Sequence, residues 1–155
     1  MSERRNLEIL IDSHFPIIVI ETHEELRAIE MLKHIVTAKG KGFYTWTVTQ
    51  GLKNLFRGNG STLRFEGLTL QDHDSTNSNP STDADAMLST IKSSFKNSVI
   101  ALLDFHPYLA NPNIVRLTKE IAQDFYANGN MLVLLSHALD AVSYTHLTLP
   151  TKRIV

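Results

Sequence analysis

The stretch that decides the fold runs from residue 98 to residue 109 and reads Ser98-Val-Ile-Ala-Leu-Leu-Asp104-Phe-His-Pro-Tyr-Leu109. Five consecutive apolar residues precede Asp104, and Pro107 ends the segment. A short apolar run between polar flanks predicts a strand that is buried on both faces, as in the middle of a parallel sheet. Ligands of such sheets bind beyond the carboxyl ends of the strands, so Asp104 stands at a candidate site.

The composition indicates one globular domain without a strongly charged surface. The chain has 155 residues, 43% of them hydrophobic, and a formal net charge of −1, so we expect no nucleic-acid partner. It has no cysteine, which excludes disulfides and cysteine-ligated metals. No apolar run approaches the roughly 20 residues of a membrane-spanning helix. We therefore expect a cytoplasmic protein without a membrane partner.

Strands and helices alternate along the chain. A capping box of Thr22 and Glu25 predicts a helix over residues 23–39, with Leu26 in its apolar stripe. A second buried strand is predicted at Ile17–Ile20, and further strands are predicted at Gly42–Thr49 and Met131–Leu135. This order predicts an α/β fold with three layers, α/β/α, around a mainly parallel sheet.

The remaining segments are predicted from turn and helix signals. Residues 50–56 read as a loop or a short helical turn, residues 62–70 as a weak edge strand, and residues 71–83 as a polar loop. Helices are expected over residues 2–13, 83–95 and 112–127, the last beginning with Asn111 as its N-cap. Tyr44 and Trp46 share a strand face, which favours packing in the core over base stacking.

The tail differs in character from the rest of the chain. Val142–Thr151 reads Val-Ser-Tyr-Thr-His-Leu-Thr-Leu-Pro-Thr, which resembles the conceptual translation of a transposon-type sequencing adapter. A genuine short strand would be the other interpretation. We predict that residues 1–141 are the natural domain, that residues 142–155 are adapter-derived, and that the chain is a fragment of a longer protein.

Four stretches, in order, resemble a known family. They are His14–Glu25, Tyr44–Trp46 with Gly51-Leu52, Leu102–Leu109 and Leu132–His137. They are similar to the N-terminal region of AAA ATPases encoded in algal plastids and cyanobacteria, the hypothetical chloroplast reading-frame type. The resemblance implies a degenerate P-loop NTPase-like fold and a parent protein that binds and hydrolyses ATP with Mg²⁺. It also implies the plastid stroma as the location if the gene is organelle-encoded.

The sequence argues against a nucleotide site within this region. A P-loop needs Gly-x-x-x-x-Gly-Lys-Ser/Thr after the first strand, so that backbone amides and a lysine hold the phosphates. The residues there are Glu21-Thr22-His23-Glu24-Glu25, whose three acids would repel phosphate. Phe105 follows Asp104, where the ATPases that the chain resembles usually have a catalytic glutamate. We therefore predict no cofactor in this region, with ATP and Mg²⁺ bound elsewhere in the parent.

A second hypothesis concerns a metal. Asp104, His106 and His137 follow two buried strands, and two histidines with one aspartate could hold a divalent ion in a small stand-alone hydrolase. The spacing has no specific signature, and Asp104 is more simply interpreted as a turn residue. A receiver-like domain is a weaker alternative, because one strand-end acid falls short of the acidic cluster that such domains use.

The first hypothesis is a non-catalytic N-terminal domain that packs, assembles or recruits a partner. Its expected partners are the ATPase module of its own chain and further copies in a homo-oligomer. The predicted contact surface lies at the strand ends and comprises Glu21, His23, Glu24, Asp104, His106 and Tyr108. The residues alone do not decide whether the fragment is an enzyme. The resemblance implies that it is not.

Overall fold

A computed structural model describes residues 2–55, 61–62, 82–136 and 151–154 of the chain, with side chains described over residues 5–55 and 82–136. Five helices, one 3-10 helix and seven strands lie in these ranges. In chain order they are α1 (Ser2–Asp12), β1 (Ile17–Glu21), α2 (Glu25–Ala38), β2 (Gly42–Thr47), β3 (Gly51–Asn54), β4 (Ser61–Thr62), α3 (Ala84–Ser94), β5 (Ser98–Leu103), the 3-10 helix (His106–Ala110), α4 (Pro112–Gln123), α5 (Phe125–Asn128), β6 (Met131–Ser136) and β7 (Thr151–Ile154).

The strands form one sheet in the order β4-β3-β2-β5-β6-β1-β7. The pairs β2–β5, β5–β6, β6–β1 and β1–β7 are parallel. The pairs β2–β3 and β3–β4 are antiparallel and form one side of the sheet. The mainly parallel sheet predicted from the sequence is therefore confirmed.

Strands β5 and β6 occupy the centre of the sheet and explain its parallel character. All six residues of each strand are buried. A strand of this kind can lie only where both faces of the sheet are covered, which is the usual situation in parallel sheets. The apolar run that ends before Asp104 therefore places β5 in the interior.

Helices cover both faces of the sheet and complete the three-layer α/β/α fold. On one face, α3, α4 and the 3-10 helix pack over the strands, with a core built from Trp46, Ala84, Met87, Leu88, Ile91, Ile100, Leu102, Phe105, Leu109, Ile114, Ile121 and Leu134, among others. On the other face, α1, α2 and α5 pack over the strands, with a core built from Leu7, Ile11, Ile18, Leu32, Ile35, Val36, Phe43, Val99, Leu103, Phe125, Val133 and Leu135, among others. Fully burying a Val, Leu, Ile, Phe or Met side chain contributes about 1.5–3 kcal/mol.

Strand β3 stands where the sequence predicted a loop or a helical turn. Thr47 pairs with Gly51, and the hairpin between them is closed by the Gln50 backbone N–H, which donates to the Thr47 hydroxyl oxygen at 3.0 Å. Gly51 has a φ of 74°, a conformation that glycine adopts without a steric cost. Pairing with β2 thus decides the structure of a segment too short to carry a strand pattern.

Trp46 is fully buried, which confirms its place in the core, and Tyr44 packs its ring 4.5 Å from that of Phe95.

Several predicted boundaries shift or lie outside the described residues. The Asn111 side chain accepts from the Asn113 N–H at 2.8 Å, which confirms the N-cap of α4, but α4 ends at Gln123 and a separate α5 follows. Residues 63–81, which hold most of the predicted edge strand and polar loop, lie outside the described residues, as does the predicted domain boundary at 141–142. Within the described ranges, no helix is long and apolar enough to span a membrane.

We expect Asn130 to be critical for stability, because its buried side chain joins the starts of β5 and β6. It accepts from the Ser98 N–H at 3.3 Å and donates to the Phe95 carbonyl oxygen at 2.9 Å. Asn130→Ala leaves both backbone groups without a partner and should lower the free energy of unfolding by about 2–4 kcal/mol. Urea denaturation measures this. Asn113→Ala, at an exposed position, is the control, and an equal loss in both variants would contradict the assignment.

We also expect acid sensitivity from the ion pairs that join α3 to α4. The Lys92 ammonium lies 2.7 Å from one oxygen of Glu120, and the Arg116 guanidinium lies 2.9 Å from the other. The hydrogen bond from Lys92, followed by that from Arg116, lowers the pKa of the Glu120 carboxyl. The ionised group therefore stabilises the folded state above its unfolded pKa of about 4.3, and this contribution is lost as the pH falls through the lower folded pKa.

Glu120→Gln should accordingly lower the urea midpoint at neutral pH, and the difference from the unmodified chain should close below about pH 4. Glu30→Gln, an exposed position on α2, should leave the midpoint unchanged at both pH values. A gap for Glu120→Gln that persists in acid would mean that its effect is not electrostatic.

Candidate functional site

The parallel strands end together at one edge of the sheet, and the predicted contact residues lie there. This edge, called the carboxyl edge below, comprises residues 21–25 after β1, residues 104–108 after β5, and Ser136 at the end of β6. The connection that leaves β1 passes through α2 on one face, whereas the connection that leaves β5 passes through α4 on the other. The two described connections therefore diverge to opposite faces, and open α/β sheets bind ligands at the carboxyl edge where connections diverge in this way.

The turn from β1 into α2 is held by local hydrogen bonds. The Thr22 N–H donates to the Ser136 carbonyl oxygen at 3.0 Å, and the Thr22 hydroxyl accepts from the Glu24 N–H at 3.1 Å. The predicted capping box is therefore wrong in detail: α2 begins at Glu25 rather than at His23, and Thr22 closes a turn instead of capping the helix. Glu24 pairs with Arg27 at 3.0 Å, and both side chains are exposed, so that this pair contributes little to stability.

Leu26 does not belong to the buried stripe of α2, contrary to the sequence prediction. Its side chain is 80% exposed, whereas Ala28, Leu32, Ile35 and Val36 are buried. At 3.6 residues per turn, Leu26 lies on the far side of the helix from Ala28. Its i, i+3 spacing to other apolar residues therefore predicts the wrong face for it. Leu26 instead lines an open depression of about 780 Å³ with residues 23–25 and Arg27.

Asp104 continues the sheet and then turns the chain. Its N–H donates to the Leu135 carbonyl oxygen at 2.9 Å, and its φ of 51° is left-handed. Aspartate tolerates this conformation better than most residues, which supports its interpretation as a turn residue. Within the described part of the chain, its exposed carboxylate makes no hydrogen bond or ion pair.

Phe105 anchors the segment that follows Asp104. It is 1% exposed, and its ring centroid lies 5.8 Å from that of Trp46 and 5.5 Å from that of Tyr108. The contact with Trp46 is edge-to-face, a geometry that adds to the stabilisation from burial of the rings. The position after the strand-end acid is therefore part of the core and is turned away from the edge.

Two buried polar atoms at the carboxyl edge lack hydrogen-bond partners in the described structure. They are Nδ1 of His106 and the hydroxyl oxygen of Ser136. Because side chains alternate along a strand, Ser136 lies on the same face as Leu134, the face that α3, α4 and the 3-10 helix cover. Buried polar groups are nearly always paired, so an unpaired group in a native structure needs an explanation. No sequence pattern indicates either atom, since pairing depends on tertiary neighbours.

The described residues contain no group of three or more acids or histidines that could hold a metal ion. Asp104 and His106 are brought to the same turn, and His137, the third member of the proposed set, lies outside the described residues. The contact residues of the first hypothesis lie at the same edge but in two sets, on either side of β6. His23, Glu24 and Asp104 are exposed, and Glu21, His106 and Tyr108 are half-buried.

A comparison with protein families matches nearly the whole chain. The profile of the family described as SpoVK-like AAA ATPase, N-terminal domain, matches residues 3–143. The chain belongs to this family. Neither the curated proteins nor the solved structures gave a match. In this SpoVK-like N-terminal domain, the match spans both central strands and every residue of the carboxyl edge.

We expect Ser136→Ala to stabilise the SpoVK-like N-terminal domain when it is studied alone. The substitution removes a buried hydroxyl that has no described partner, a group whose desolvation costs about 1–3 kcal/mol. Ser98→Ala is the matched control, since the Ser98 hydroxyl is also buried in a central strand but donates to the Lys96 carbonyl oxygen at 2.9 Å. The thermal and urea unfolding midpoints should rise in Ser136→Ala and fall in Ser98→Ala. Destabilisation by Ser136→Ala would show that its hydroxyl is paired.

Proposed function

We propose that this chain is the non-catalytic N-terminal domain of an AAA ATPase of the plastid and cyanobacterial type, and that its carboxyl edge is a contact surface. Its partners are the ATPase module of its own chain and further copies of the protein. In this proposal the parent protein binds ATP and Mg²⁺ in that module and works in the cytoplasm, or in the plastid stroma if the gene is organelle-encoded.

The observation that carries the proposal is the turn after β1. In a P-loop protein, glycines and a lysine at this point hold phosphate groups against the start of the helix. Here the turn contains Glu21, Glu24 and Glu25, and the Thr22 hydroxyl already accepts from the Glu24 N–H. Carboxylates at a helix start are favoured by its dipole and disfavour a phosphate in the same place.

Two further observations support a contact role over catalysis. Phe105, in the place of a catalytic glutamate, is buried among aromatic rings and has no reactive group. Asp104 and Glu24 add exposed negative charge, which favours a partner surface with a positive charge.

The proposal extends to the tail. We propose that residues 142–155 derive from a sequencing adapter and that the natural chain continues differently beyond about residue 141. The family match ends at residue 143, close to this boundary, which supports the proposal. Residues 151–154 pair as β7 with β1. In the natural protein, we propose that the continuation of the chain supplies the strand at this position.

The contact role predicts that substitutions which remove negative charge from the edge weaken binding to the separately produced ATPase module. Glu24→Gln combined with Asp104→Asn should raise the dissociation constant at least about tenfold, equivalent to 1.4 kcal/mol. Asparagine tolerates the left-handed φ of residue 104, so that the fold is preserved. Calorimetry or interferometry measures the affinity, and added salt should weaken the binding of the unmodified chain.

Tyr126→Ala is the control, because Tyr126 is 93% exposed on α5, which precedes β6 and therefore lies at the opposite edge of the sheet. It should leave the affinity unchanged. Saturable binding of MgATP to this chain, with a dissociation constant below about 1 mM, would contradict a non-catalytic role. Equal affinities of the double variant and the unmodified chain would contradict the assignment of the surface.

A further inference from the structure

The first turn of α2 presents an aliphatic side chain to the solvent between acids. Leu26 is 80% exposed, more than any other large aliphatic side chain that the structure describes. Glu24 and Glu25 precede it, and Glu25 makes no ion pair with another described residue. Such a side chain can enter an apolar groove, and the neighbouring carboxylates match a groove with a basic border.

An apolar groove with a basic border lies in the helical layer on the other face of the sheet. It is formed by the end of the 3-10 helix and the first half of α4, and has a volume of about 350 Å³. Its apolar lining comes from Leu109, Ala110, Pro112 and Val115, and its border from Arg116 and Lys119. A volume in this range holds a side chain of leucine size together with its neighbours.

The charges of the two surfaces are complementary. Around the groove, Lys92 and Arg116 share the single carboxylate of Glu120. Lys119 makes no ion pair with a described residue, so the border carries excess positive charge. The first turn of α2 carries Glu24 and Glu25, of which only Glu24 has a described cation, Arg27. Opposite potentials of this kind orient and accelerate association.

The sheet separates the two surfaces within one copy of the chain. Helix α2 covers one face and helix α4 covers the other, so Leu26 cannot enter the groove of its own copy. Two different surfaces that fit each other give a heterologous, head-to-tail contact. Such a contact closes into a ring or continues as a filament.

We propose that copies of this domain associate head to tail, with Leu26 of one copy seated in the groove between the 3-10 helix and α4 of the next. Glu25 of the first copy faces Lys119 and Arg116 of the second. The interface rests on the assembly role proposed above and names its partner, which is a second copy of this chain.

Sedimentation velocity or light scattering over a range of concentrations tests the interface on the 155-residue chain. The unmodified chain should associate, and raised salt should weaken association. Leu26→Asp removes the inserted side chain, and an acid near the start of a helix does not destabilise it. Ala110→Glu with Lys119→Glu fills the groove and reverses its charge. Each variant alone should associate at least about tenfold more weakly, equivalent to 1.4 kcal/mol.

A mixture of the two variants distinguishes this geometry from any symmetric one. The Leu26→Asp chain keeps an intact groove, and the doubly substituted chain keeps Leu26, so together they should form a one-to-one dimer and no larger species. Tyr126→Asp, an exposed apolar position on α5, is the matched control and should associate like the unmodified chain. Circular dichroism confirms that each variant is folded.

Three results would overturn the proposal: a monomer at every accessible concentration, association of Leu26→Asp equal to that of the unmodified chain, or a mixture that stays monomeric. Each is distinguishable from failure of the contact role. Binding to the ATPase module is a separate measurement with the variants of Glu24 and Asp104, and it can succeed while the chain alone stays monomeric.

Discussion

The burial of β5 and β6 on both faces is the constraint on which the rest of the structure depends. All twelve of their residues are buried, so helices must cover the sheet on each side. Parallel pairing requires long crossover connections, and helices α2, α3 and α4 form them. The ends of the parallel strands therefore lie at one edge, which carries the acids of the β1 turn and the turn of Asp104 on either side of β6.

The elements that can be predicted from sequence alone are those in which one local pattern determines the outcome. Continuous apolar runs indicate β1, β5 and β6, and the N-cap of α4 is visible as Asn111 before Pro112. Strand β3 is missed because four residues carry no periodicity, and pairing with β2 decides their structure. Leu26 is assigned to the wrong side of α2 because spacing alone does not determine where the sheet lies relative to a helix.

The candidate site is predictable in its location and not in its detail. Strand ends identify the edge, so that the sequence alone suffices to place Glu21, His23, Glu24, Asp104, His106 and Tyr108 there. The unpaired atoms of His106 and Ser136 depend on what surrounds them in space. The groove beside α4 lies within residues 109–119, and its shape depends on how the 3-10 helix meets α4, which the sequence pattern does not predict. Family membership extends over the whole edge, so these features belong to the N-terminal domain itself.

The hydrogen bonds at the carboxyl edge continue past the ends of the strands. Thr22 donates to Ser136, and Asp104 donates to Leu135, so both turns are tied by their backbones to β6. If the edge is the contact surface proposed above, its two turns would meet a partner already ordered by these hydrogen bonds, and association would cost little backbone conformational entropy there. Shape and charge would then decide which partner binds.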